Sequence, residues 1–103
     1  MAVNSQATIT AANTFTTPLQ IVGWYNVSVW LPSGATGSLG GSTVTVQRSF
    51  DSGATWRDLK QWQVTAEEYG FECEGALIRI GCKTANYTAS VNVRIGHEGG
   101  MTK

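Results

Sequence analysis

The chain has 103 residues, a formal net charge of zero and 14% charged side chains, against roughly a quarter in an ordinary soluble domain. With 42% hydrophobic residues it is expected to be one domain with a real core, not a disordered chain. Balanced charge excludes the basic surface that nucleic acid requires and the polybasic patch of a membrane anchor.

The few charges are unevenly placed. The first 47 residues contain no Asp, Glu, Lys, Arg or His; all seven acids, all seven bases and the lone His97 lie from Arg48 onward. The front half must meet water through Thr, Ser, Asn, Gln and Gly, or be covered by a partner, as charge-poor interface surfaces are.

In chain order, residues 1–20 form an N-terminal arm, with residues 7–12 as a short first strand and an edge segment around Pro18. Residues 1–12 lack the basic and apolar regions of a secretory signal, and no run approaches the ~20 residues of a membrane helix. The expectation is synthesis and folding in the cytoplasm. The sequons at Asn26 and Asn86 are then chance matches.

Residues 24–31 (WYNVSVWL) are the clearest strand. Tyr25, Val27, Val29 and Leu31 share its core face, and Trp24, Asn26, Ser28 and Trp30 the other. Residues 32–42 (PSGATGSLGGS) read as a flexible Gly/Ser loop that orders, if at all, against a partner. Residues 43–50 are a strand with Val44, Val46 and Phe50 on one face. Residues 56–64 are another, whose broken alternation predicts a bulge near Asp58.

Thr65 and Glu68 stand in capping-box spacing, so residues 65–70 are expected to make one helical turn. Short strands at 71–74 and 76–82 follow, then a turn at 83–86 and a last strand over 87–95 with Val91, Val93 and Ile95 inward. Residues 97–103 are a polar tail. The whole reads as a single all-β domain, an antiparallel β-sandwich, jelly-roll or Ig-like, of six to eight short strands.

Candidate chemistry is sparse. Trp24, Trp30, Trp56 and Trp62 are the tryptophans; Trp56 and one of Trp24 or Trp30 are expected in the core. Exposed aromatics anchor protein interfaces and also stack on sugars. His97 is the lone histidine and reads as a solvated residue, not a general base. Glu67, Glu68, Glu72 and Glu74 read as a solvated turn, because calcium loops carry closely spaced Asp and Asn. Cys73 and Cys82 read as two small buried free thiols. The chain is therefore expected to have no catalytic residues, no metal and no cofactor.

Ser49, Asp51, Gly53, Thr55 and Trp56 fit the pattern S-x-D-x-G-x-T-W, the Asp-box. Asp51 is placed to accept hydrogen bonds from the turn, Gly53 to take a positive φ, and Trp56 to fold into the core and pin the hairpin. The motif recurs in sialidases away from their catalytic site. A sialidase needs several blades and an arginine cluster, so a structural turn is the expected role here.

The run Val46-Gln47-Arg48-Ser49-Phe50-Asp51-Ser52-Gly53-Ala54-Thr55-Trp56 resembles the centre of a group of small tailed-phage proteins encoded among the head genes. Residues 75–96 (GALIRIGCKTANYTASVNVRIG) are similar to their later part, through Arg79, Cys82, Thr88, Val91, Asn92, Arg94 and Ile95. The likeness covers about residues 24–96. It implies a virion component on the capsid exterior: a cement or decoration protein, homo-oligomeric, binding the major capsid protein or copies of itself. Trp24, Trp30, Leu39 and the N-terminal arm are the expected contacts. A carbohydrate-binding module using exposed Trp and Tyr is the alternative, with only Asn26 and Gln20 expected near those rings; a sialidase-like hydrolase finds no residues to carry it.

Overall fold

The computed structural model of the protein describes residues 3–98. Among them are seven strands: β1 (Val3–Ile9), β2 (Thr14–Phe15), β3 (Leu19–Trp30), β4 (Val44–Ser49), β5 (Arg57–Trp62), β6 (Ala66–Cys82) and β7 (Val91–His97). A single 3-10 turn, Thr84–Asn86, precedes β7 where the sequence predicts a turn. All pairings are antiparallel, in the order β1-β7-β3-β6-β4-β5, with β2 beside the end of β6.

The all-β antiparallel class matches the sequence pattern, but the strands are less uniform than expected. β3 has 12 residues and β6 has 17, and both run through one continuous sheet that bends over itself like a sandwich. The bend lies where Ile21 pairs with Ala76 but Gly23 pairs with Glu72, so β6 carries extra residues at 73–75. Gly23 (φ 91°) and Gly75 (φ 54°) take the left-handed backbone that this crease requires. Beyond it the sheet folds back. Arg48 pairs with Ile78 along the ladder, yet its guanidinium reaches Glu72 across the bend at 3.0 Å. Lys60 of β5 similarly contacts Glu68.

The core fills the space between the layers. Val27, Val29, Val91, Val93 and Ile95 come from one layer, and Ile21, Val44, Val46, Ile78 and Ile80 from the other. Each is nearly or fully buried, which stabilises by roughly 1.5–3 kcal/mol per side chain. β4 is buried on both faces. Its polar face is satisfied by Gln47, which donates to Asp58 (2.9 Å) and accepts from Arg79 (2.9 Å). The expected bulge is present: Val46 faces Lys60 and Gln47 faces Asp58, leaving Leu59 extra.

Four expectations are corrected. Residues 65–70 make no helical turn, and the pieces at 65–70, 71–74 and 76–82 belong to one strand. Val29 to Gly23 of β3 pair with Ala66 to Glu72, and Thr65 turns its hydroxyl to Gly37 N–H (3.1 Å) instead of capping a helix. The part of the N-terminal arm at Val3–Ile9 is a sheet strand, paired along its length to β7.

The third correction concerns Leu39, expected at a partner contact. It is fully buried in this chain's own core. Its loop is tied down around it: Leu39 N–H donates to the Gln63 carbonyl (3.1 Å), Thr65 N–H to the Gly37 carbonyl (2.8 Å), and Ser42 Oγ accepts from Thr88 and Ala89 N–H (2.9 and 2.8 Å). The buried leucine and these hydrogen bonds together offset part of the entropy lost when a Gly/Ser segment is ordered. Fourth, the core tryptophan is Trp62, 7% exposed; Trp24, Trp30 and Trp56 lie outside it. The polar tail begins inside β7, since His97 pairs with Tyr25 and Val3, and residues 99–103 lie outside the described ones.

Candidate functional site

Register places the outward side chains of four strands in rows. Trp24 lies beside Phe71. The next row runs Asn4, Gly96, Asn26, Tyr69; the next Gln6, Arg94, Ser28, Glu67; the last Thr8, Asn92, Trp30. Arg94 and Glu67 are the charged members of this face, and its polar groups hold one another. Thr8 donates to Asn92 Oδ1 (2.6 Å), Arg94 to Asn26 Oδ1 (3.1 Å) and Ser28 to Glu67 Oε1 (2.6 Å).

At one end the face turns aromatic. Trp24 packs edge-on against Phe71 with ring centroids 5.0 Å apart, and tilted against Tyr69 at 5.5 Å. Val22, Trp24, Tyr69 and Phe71 are 68, 64, 76 and 54% exposed, a contiguous apolar patch on an otherwise neutral polar surface. Beside it an open hollow of about 670 Å³ is lined by Trp24, Tyr69, Asn26, Arg94, His97 and Glu98 among others.

Of the expected contacts, Trp24 is at the centre of this patch, Trp30 is half-buried three rows from it, and Leu39 is excluded by burial. Tyr69, Phe71 and Val22 escaped the sequence reading. The alternation Glu67, Tyr69, Phe71 would have aligned Tyr69 with Phe71 and Trp24 had residues 65–70 been read as strand, and Val22 lies ahead of the expected strand start at Trp24. The charge-free segment also divides. Val44 to Gln47 are hidden inside the monomer, whereas Asn4, Gln6, Thr8 and Asn26 face outward.

The Asp-box residues form the β4–β5 turn. Thr55 Oγ1 donates to Asp51 Oδ2 (2.6 Å), and Ser49 Oγ and Thr55 N–H donate to Asp51 Oδ1 (2.7 and 2.9 Å). Gly53 takes φ 93° and donates its N–H to Ser49 Oγ (2.8 Å). Trp56 does not enter the core, contrary to expectation. It stacks on the Arg79 guanidinium at 4.1 Å, and Phe15 covers the other side at 4.0 Å. Burial lowers the Arg79 pKa from its usual value.

The hydroxyl of Thr55, then that of Ser49, hold the Asp51 carboxyl far below the usual carboxylate range. Lys83 does the same for Asp58, and Lys60 for Glu68, more mildly. A depressed folded pKa stabilises above the unfolded value, near 4, and that contribution is lost as pH falls toward the folded one. Thermal melts are therefore expected to drop progressively below about pH 4. Asp51→Asn should lower stability at pH 7 and flatten the acid limb; an unchanged limb would show that the turn's hydrogen bonds carry no such linkage.

The acidic cluster is not a solvated turn. Glu72 is 2% exposed and paired with Arg48. Cys73 and Cys82 are both free on the one strand β6, and the expectation of two buried thiols fails for Cys73, which is exposed. Burial raises the Cys82 pKa, keeping that thiol protonated and unreactive. Among the described residues no group of three or more His, Cys, Asp or Glu could hold a metal ion. No protein-family model, curated protein or solved structure matches the chain.

Proposed function

We propose that the chain is a non-enzymatic structural protein of a tailed-phage virion, a decoration subunit lying across neighbouring major capsid proteins on the head exterior. The observation that carries this reading is the exposed patch of Val22, Trp24, Tyr69 and Phe71 beside rows of Asn, Gln, Ser and Thr side chains that hold Arg94 and Glu67 as their charged members. A monomer gains nothing by holding these rings in water, and aromatic side chains are the commonest anchors of protein interfaces. A neutral amide and hydroxyl surface around them suits a flat protein partner and loses little on desolvation. The resemblance of Val46 to Trp56 and of residues 75–96 to phage head-gene proteins supports the same placement. Binding that prefers the assembled shell stabilises it by mass action, and many symmetric copies multiply a modest contact.

Purified particles should carry the protein in many copies, and particles lacking it should break at lower temperature. Trp24→Ala should weaken each contact by about 2 kcal/mol, roughly thirty-fold, measured by co-sedimentation with stripped heads. Wild-type retention by the variant would sink the assignment of the patch, and absence of the protein from virions would sink the reading.

A glycan-binding module is the second reading, favoured by the polar groups that register sets beside the rings. Asn26 and Arg94 line the hollow with Trp24 and Tyr69, the mixture of stacking faces and hydrogen-bonding groups that grips sugars. It requires saccharide to quench tryptophan fluorescence in wild type but not in Trp24→Ala; no response across a glycan array removes it.

A further inference from the structure

We infer that β1 is a strand-pairing edge that joins two copies of this chain, β1 against β1, into one continuous sheet. The inference goes beyond the particle-binding role and does not rest on the aromatic patch. Natural proteins guard open strand edges with charge, proline, bulges or short strands, because an unguarded edge recruits another strand. The other open edges among the described residues are guarded. The stretch of β3 before Tyr25, which β7 does not reach, follows Pro18 and carries the register shift between Ile21 and Gly23. β5 carries Arg57, Asp58 and Lys60 and the bulge at Leu59. The first half of β6, beyond the reach of β4, carries Glu67, Glu68, Glu72 and Glu74 and the crease at Gly75. β2 is two residues long, with Pro18 close behind.

β1 has none of these devices. It lies at the end of the strand order, and its seven residues, VNSQATI, hold no charge and no proline. They pair with β7 from Val3↔His97 to Ile9↔Val91 without a register shift, so the strand is regular along its whole length. None of its side chains carries a charge that would repel an intruding strand.

The occupant is a second copy because the strand is complementary to itself. A two-fold contact demands that residue i meet j while j meets i. Two antiparallel β1 strands sharing such an axis use all seven residues only when the axis passes at Gln6. Val3 then meets Ile9, Asn4 meets Thr8, Ser5 meets Ala7, and Gln6 meets Gln6. Apolar residues oppose apolar, small oppose small, and the two amides lie where each can donate to the other. The outward rows of Asn4, Gln6 and Thr8 would continue across the junction, doubling the width of the neutral face.

Sedimentation equilibrium of the full chain at high micromolar concentration should give the mass of a dimer. Gln6→Lys sets two ammonium groups against each other at the axis and should return the protein to monomer, with the far-UV circular dichroism of the wild type as the check on folding. Register is read independently by cross-linking in a Cys73→Ser background. Mild oxidation should link Gln6→Cys into a covalent dimer, since that residue faces its own copy, and should leave Asn4→Cys, which faces Thr8, unlinked. A wild-type monomer at all concentrations overturns the inference. So does a dimer that survives Gln6→Lys, or an Asn4→Cys variant that cross-links as readily as Gln6→Cys.

Discussion

Arg48→Ala is expected to destabilise the protein by roughly 3 kcal/mol, the largest loss available from a single side chain outside the hydrophobic core. The cause is the partner left behind. Glu72 is 2% exposed and its Oε1 lies 3.0 Å from Arg48 Nη1, while the arginine itself is 32% exposed. Removing the cation strands a carboxylate where water cannot reach it, which typically costs ~3–5 kcal/mol; the partial exposure of Arg48 places the effect near the lower bound. The same pair bridges the crease in the sheet, so the variant should also loosen β6 where it presents Phe71 and Tyr69. Nearby Tyr25 reports on this environment: burial, then the Glu72 charge, raises its phenol pKa. Urea denaturation measures the loss. The double variant Arg48→Met with Glu72→Leu should recover most of it, because an apolar pair of similar volume commonly replaces a buried ion pair without cost. A single-variant loss under ~1 kcal/mol would mean that the pair behaves as a surface bridge.

Gly81→Val is expected to detach β2 and cost about 3 kcal/mol or more. A Cβ at Gly81 would sit 2.1 Å from the Thr14 carbonyl oxygen and 2.6 Å from Phe15 Cα. These are backbone atoms, so no side-chain rotation relieves the clash. β2 is held there by its pairing to Gly81 and Cys82, by Thr16 N–H donating to the Ile80 carbonyl (2.9 Å), and by Ile80 N–H donating to Thr16 Oγ1 (3.2 Å). Its displacement removes Phe15 from Arg79, leaving the guanidinium stacked on Trp56 alone. A change in tryptophan emission should therefore accompany the lowered melting temperature. A variant that melts with the wild type would show that β2 contributes nothing to the stability of the sheet.

Much of this architecture was legible in the residues themselves. The alternation in residues 24–31 sorts core from surface correctly because β3 is flanked by strands on both sides and buried on one face. The broken alternation after Trp56 correctly announces a bulge, and the Asp-box spacing describes the turn that forms. β6 was hidden by its own composition. Gly70 and Gly75 look like punctuation, and Thr65 with Glu68 mimics a helix start, yet pairing along β3 overrides both signals. The candidate patch was half visible for that reason: Trp24 followed from β3, whereas Tyr69 and Phe71 depended on reading β6 as strand. Leu39 was misplaced because a lone leucine in a Gly/Ser run carries no periodicity, so only the fold reveals that it points inward. Trp56 looked like core because nothing in the sequence brings Phe15 and Arg79 beside it.

The pairing of the first strand with the last sets an order of events during synthesis. Val3 can meet His97 only after every residue between them has been made and has left the ribosome, and few pairings in a sheet of this size span more sequence. Until then β3 has an open flank where β7 will pair, and β1 has no native strand to dock on. The outer border of the sheet is thus among the last pieces to be built. A chain that has not yet made β7 lacks the strand that holds β1 straight, so it lacks the ordered edge that a copy-to-copy joint would use.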